Sequence, residues 1–72
     1  MSQLIFNAMM AEANAKEAKA LANLQVYMSN PAGIGEHPDV VAECTQLVKD
    51  IAEATEMKEA INTLISNIDK GE

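Results

Sequence analysis

Ser29-Asn30-Pro31-Ala32-Gly33-Ile34-Gly35-Glu36-His37-Pro38-Asp39 holds both prolines and two of the three glycines of this 72-residue chain. Residues 2–28 before it and 40–70 after it contain neither. Proline and glycine are the strongest local breakers of regular structure, so this stretch separates two long uninterrupted elements. Both elements are rich in alanine, glutamate and lysine and lack the period-2 alternation of β-branched residues that a strand requires. The chain therefore reads as all-α: one domain over 1–72, an antiparallel two-helix hairpin with long helices. Helix 1 is expected over about 2–29, the connection over about 30–37 and helix 2 over about 38–70.

The boundaries have physical causes. Pro31 disfavours the α conformation at Asn30, which ends helix 1 near Met28 to Asn30. Pro38 suits the first helical position, where its missing N–H is no loss and its φ is already helical. That assignment makes His37 the N-cap, or Glu36 if the helix starts one residue earlier, with Asp39 and Glu43 near the positive end of the helix dipole. Gly71 after Lys70 is a normal stop signal. Each helix would be roughly 42–46 Å long at 1.5 Å per residue. With a turn centred near Ile34, residue i lies beside residue 68−i or so. Leu21, Leu24 and Met28 then face Leu47, Cys44 and Val40, and Leu4 faces Leu64 and Ile65.

Two apolar stripes follow. In helix 1, Leu4, Ala8, Ala11, Ala15, Ala18 and Ala22 recur at alternating intervals of four and three, a heptad seam made almost wholly of alanine. No large apolar side chain lies between residues 11 and 20, and Ala52 and Ala54 thin the opposing stretch of helix 2. The expectation is a close waist with bulkier ends. In helix 2 the stripe is Val40, Cys44, Leu47, Ile51, Ala54, Lys58, Ile61, Ile65 and Ile68, with Lys58 able to reach along it to solvent. Val41, Val48, Met57 and Leu64 widen that arc beyond what one partner helix covers. In helix 1 Met10, Ala13, Ala20, Leu24 and Tyr27 lie to one side of the alanine seam.

Composition narrows what the chain can be. A domain this small buries only about 60% of its unfolded surface and normally needs disulfides, a metal, very regular helix packing or a partner. Cys44 is the only cysteine and His37 the only histidine, which removes an internal disulfide and leaves no structural zinc set. Five lysines, no arginine and eleven acids give a net charge of −6, which argues against nucleic acid and against an anionic membrane surface. No apolar run reaches the ~18 residues of a membrane span, and Met1-Ser2-Gln3 lacks the basic start of a secretory signal. A lone thiol without an export signal suits a reducing cytoplasm.

No group of residues supplies a nucleophile, a base and a stabiliser together, so no catalytic, cofactor-binding or metal-binding residue is assigned. Glu36, His37, Asp39 and Cys44 carry ligand chemistry, but capping explains the first three and packing explains the cysteine. Gly33-Ile34-Gly35 lacks the lysine and the preceding strand of a phosphate loop. Its glycines can adopt positive φ while Ile34 folds over the helix ends. The connection is nevertheless longer and more ordered in composition than a helical hairpin requires. Pro31, Gly33, Ile34, Gly35, Glu36, His37, Pro38 and Asp39 are therefore the candidate partner-recognition turn. Phe6, Met9 and Met10 form a second apolar cluster, adaptable as a contact surface but more simply core.

The segment from Val26 to Asp39, followed by Val40 and Val41, resembles a turn found in short uncharacterised helical-hairpin proteins of tailed phages, especially marine ones. The resemblance implies a small accessory protein in the cytoplasm of an infected bacterial cell, with no activity and no functional residues to carry over. From the residues themselves, the first expectation is a helical interaction or scaffolding module that self-associates, most simply as a homodimeric four-helix bundle. The alternative is an acidic regulator or inhibitor binding a basic surface of a protein partner, in place of nucleic acid. The two differ in whether Glu12, Glu17, Asp50, Glu53, Glu56 and Glu59 form one negative stripe or are dispersed.

Overall fold

Alanine-rich, glycine-free sequence on both sides of the proline–glycine stretch folds into two helices, α1 over Gln3–Ser29 and α2 over Val40–Asp69. The computed structural model of the protein describes residues 3–29 and 39–69. Among these there is no strand, and the two helices lie side by side in a shape 54 Å long and 15–17 Å across. Lys16 meets Glu53 near the middle, while Tyr27 lies near Glu43 and Cys44 towards the connection. The numbers rise along α1 as they fall along α2, so the hairpin is antiparallel.

The start of α2 differs from expectation. The Asp39 carboxylate accepts a hydrogen bond from the Ala42 amide at 2.9 Å, and its carbonyl accepts one from the Glu43 amide at 3.2 Å. Asp39 is therefore the N-cap and Val40 the first helical residue, two positions later than Pro38. Aspartate is among the best N-caps because its short side chain reaches back to the third amide of the helix, whereas the proline argument concerns only φ. Helix 1 ends at Ser29, as the position of Pro31 predicts. His37, Pro38, Lys70 and Gly71 lie outside the described residues.

The register is displaced in the same direction. A turn centred on Ile34 puts residues 52 and 51 opposite Lys16 and Glu17, but Lys16 meets Glu53 and Glu17 meets Thr55 and Lys58.

Among the described residues the buried ones are Phe6, Ala13, Ala20, Ala54 and Ile61. In α2 the half-buried positions Val40, Cys44, Leu47, Ile51, Lys58 and Ile65 complete the expected stripe, which fails only at its end, where Ile68 is exposed. Its flanking residues Val41, Val48, Met57 and Leu64 are all exposed, as the width of the arc implies.

In α1 the seam is not the expected one. Leu4, Ala8, Ala11, Ala15, Ala18 and Ala22 are all exposed. The contact face is Phe6, Met10, Ala13, Glu17, Ala20, Leu24 and Tyr27, the same heptad rhythm moved by two residues. Leu21 and Leu4, expected to face α2, point to solvent instead. Phe6 and Met10 belong to the core face, and Met9 lies outside it. The small-residue middle survives the correction with different alanines. Ala54 has 0% exposure, which a single methyl side chain on a two-helix hairpin reaches only where the opposite helix lies directly on it.

Candidate functional site

Two charged residues stand in the contact face. Glu17 of α1 and Lys58 of α2 occupy seam positions, each with 26% of its side chain exposed, and Lys58 Nζ donates to Glu17 Oε1 at 2.8 Å. Thr55 Oγ1 lies 3.4 Å from Glu17 Oε2 as a second, longer donor. The hydrogen bond from Lys58 holds the Glu17 carboxyl below its ordinary value of 4.5 against the opposing effect of desolvation, with the Lys58 charge and the Thr55 hydroxyl adding to the lowering. Lys58 thus has a paired role as well as an aliphatic stem to pack. Glu17 was legible only as one more surface acid, although its place one heptad from Met10 on one side and one heptad from Leu24 on the other marks it as a seam residue.

A polar pair in an otherwise apolar seam acts mainly on specificity, since sliding one helix by a turn would leave both charges without partners. It also makes a pH prediction. Because the folded pKa lies below the unfolded one, the ionised carboxylate stabilises the fold above about pH 4.5. That contribution is lost as pH falls through the lower folded value. Thermal melts between pH 6 and pH 3 should show a steeper acid loss for the native chain than for Glu17→Gln; parallel curves would remove Glu17 as the source.

The pair and the stripes divide the hairpin surface into two long sides. On one, an open apolar groove of about 600 Å³ is lined by Leu24 and Met28 of α1 and Val40, Val41, Cys44, Thr45 and Val48 of α2. Helical spacing extends this groove side along the rows Asn7, Asn14, Leu21, Met28 and Val41, Val48, Thr55, Asn62, and beyond them through Ala11, Ala18, Ala52 and Glu59. On the other, Lys16 pairs with Glu53, and Lys16, Lys19, Asn23 and Asp50 surround a hollow of about 240 Å³. Gln46 donates to Asp50 there at 3.1 Å. The same spacing adds Glu12, Glu43, Met9, Met57 and Leu64 to this charged side.

The acids therefore do not form one stripe. Glu12, Asp50 and Glu53 share the charged side, Glu17 is in the seam, Glu56 is at the back of α2 and Glu59 is on the groove side. Two of them, Glu17 and Glu53, are held by lysines.

Of the candidate turn, only Asp39 lies among the described residues, and it is occupied as a cap. Pro31, Gly33, Ile34, Gly35, Glu36, His37 and Pro38 lie outside them. Cys44 is half-buried with its thiol in the groove. Burial, followed by the charges of Glu43 and Cys44, raises the Tyr27 pKa above its ordinary value of 10.0, so the phenol stays neutral at physiological pH. Among the described residues no cluster of three or more His, Cys, Asp or Glu is placed to hold a metal ion. No described helix is long and apolar enough to cross a membrane.

No protein-family model matches the chain, and no curated protein or solved structure matches it either.

Proposed function

We propose that this chain is a small helical interaction or scaffolding module without catalytic activity, which self-associates as a homodimer in a four-helix bundle. One observation carries the reading: among the described residues, three of the five buried core residues are alanines, while eleven large apolar side chains stay exposed on the single hairpin. Burying apolar area contributes about 25 cal/mol per Å², so a methyl-lined seam stabilises far less than the exposed leucines, valines and methionines would if covered. Where these side chains are contiguous, as Met28, Val41 and Val48 are around the groove, they mark an association site on a small protein. The resemblance of the turn segment to phage hairpin proteins supports extending the proposal to a role in the cytoplasm of an infected bacterial cell.

The reading as an acidic regulator has less support. It needs a continuous negative surface, and here the acids are spread over both sides, the seam and the back of α2, with two of them neutralised by lysine.

Sedimentation equilibrium between 1 and 100 µM, concentrations suited to an interface of ordinary strength, tests the proposal. A mass of about twice the 7.7 kDa chain is expected, and a folded 7.7 kDa species throughout would overturn it.

A further inference from the structure

We infer that the groove side of the hairpin, with Leu21 and Met28 of α1 and Val41 and Val48 of α2 at its centre, is the surface on which a second copy of this chain packs. This rests on the self-association proposed above and goes further, because it selects one of two exposed sides and leaves the other in solvent.

Charge makes the selection. The rows on the groove side contain one acid and no lysine among the described residues, the acid being Glu59, whereas the charged side contains Glu12, Lys16, Lys19, Glu43, Asp50 and Glu53. In a two-fold dimer both copies present the same patch, so the charges on the interface can be paired only from within that one set of residues. A side with four acids and two lysines then sets like charges against each other in a chain that already carries −6. A side with almost no charge is compatible with itself, and the buried centres of protein interfaces are depleted of charged residues in the same way.

The seam supports this choice. Glu17 and Lys58 are the other charges that approach the groove side, Glu17 through its contact with Thr55, and they arrive already paired. A second copy laid over them covers a neutralised pair and not an isolated ion, whose burial would be strongly unfavourable.

Size and relief agree with charge. One side of a hairpin 54 Å long and 15–17 Å across matches the roughly 800 Å² per partner that a stable interface buries. Along it, the exposed Met28, Val41 and Val48 line the groove, Leu21 is exposed one heptad before Met28, and Ala18 and Ala52 carry only methyl groups on the same side. Projecting side chains next to recesses are what two helical layers need in order to interdigitate.

The experiment compares matched substitutions on the two sides. Val48→Glu and Leu21→Glu alter the groove side, and Met57→Glu and Met9→Glu alter the charged side. All four positions are exposed in the single hairpin, so a carboxylate there leaves the intramolecular seam intact. By sedimentation, the first two should raise the dimer dissociation constant about 100-fold or more, the effect of a charge at an interface centre. The second two should stay within about threefold.

A measurement on the assembled dimer avoids depending on how the charged variants fold. In a Cys44→Ser background, single thiols are introduced as Val48→Cys or Met57→Cys, and their modification by a thiol reagent is followed over the same concentrations. Modification at 48 should slow about tenfold or more as the dimer forms, while that at 57 should not change. A dimer that is protected at 57 and open at 48, or that dissociates through Met57→Glu and not Val48→Glu, would overturn the choice of side while leaving self-association standing. A native chain that stays monomeric, with both thiols equally reactive at every concentration, would overturn both.

Discussion

Replacing Ile61 by alanine is expected to lower the stability of the fold by about 2–5 kcal/mol, the range found for truncating large buried aliphatic side chains. Ile61 is only 4% exposed, and with Phe6 it is one of two large side chains among the five buried residues of the described part of the chain. Total stabilities run at roughly 0.05–0.15 kcal/mol per residue, so a chain of 72 residues has about 4–11 kcal/mol to lose. The substitution thus removes a large share of it and should shift the thermal midpoint by tens of degrees or abolish the cooperative transition. Leu64→Ala is the matched control. Leu64 lies three positions further on the same helix but is 51% exposed and on the charged side. It should change the midpoint by only a few degrees. Thermal unfolding of the two variants at equal concentration checks the contrast, and equal losses would mean that the seam does not separate these two residues.

Replacing Ala54 by leucine should destabilise the hairpin by about 1–3 kcal/mol through overpacking. Ala54 is wholly covered by α1, where Ala13 and Ala20 offer equally little depth, so three extra carbons have nowhere to go without moving the helices apart. With a shift of about 4–8 °C per kcal/mol for a domain this size, the midpoint should fall by roughly 5–20 °C. Ala15→Leu is the informative comparison, because Ala15 is the centre of the seam that the sequence alone suggests and is exposed in the fold. Leucine is nearly as good a helix former as alanine, so that variant should be close to neutral. A large loss at Ala15 with none at Ala54 would restore the other alanine stripe as the contact face.

The error over α1 has a specific cause. Alanines stand at 8, 11, 15, 18 and 22 on one face of the helix and at 13 and 20 on the opposite one, and each gains about the same from burial whichever face is turned inward. Counting alanines therefore favours the longest regular run, and that run is the wrong one. The residues that decide are the bulky ones towards the ends. Phe6 and Tyr27 are three heptads apart, Met10 and Leu24 are two, and all four share one face with Ala13, Glu17 and Ala20. In α2 no such ambiguity arises, since Val40, Leu47, Ile51, Ile61 and Ile65 are large and confined to one rhythm. The N-cap was misplaced for a similar reason: fixed proline φ outweighed the better capping chemistry of Asp39 one residue later.

The candidate site was legible in part. The excess width of the α2 arc follows from Val41, Val48, Met57 and Leu64 in the sequence. Their separation into two sides does not, because Val41 and Val48 are divided from Met57 and Leu64 only once the direction of α1 across α2 is known.

Two helices of about 27 and 30 residues, their break at Pro31 and the contact stripe of α2 were determined by the sequence alone, because they depend on local backbone preferences and on a periodicity carried by large side chains. The phase of α1, the pairing of Glu17 with Lys58 and the division into an uncharged and a charged side were decided by the tertiary structure. Each depends on which of two alanine-bearing faces of α1 meets α2. That choice is made by a few bulky residues and one ion pair acting between residues about forty positions apart in the chain, a distance over which no local pattern carries information.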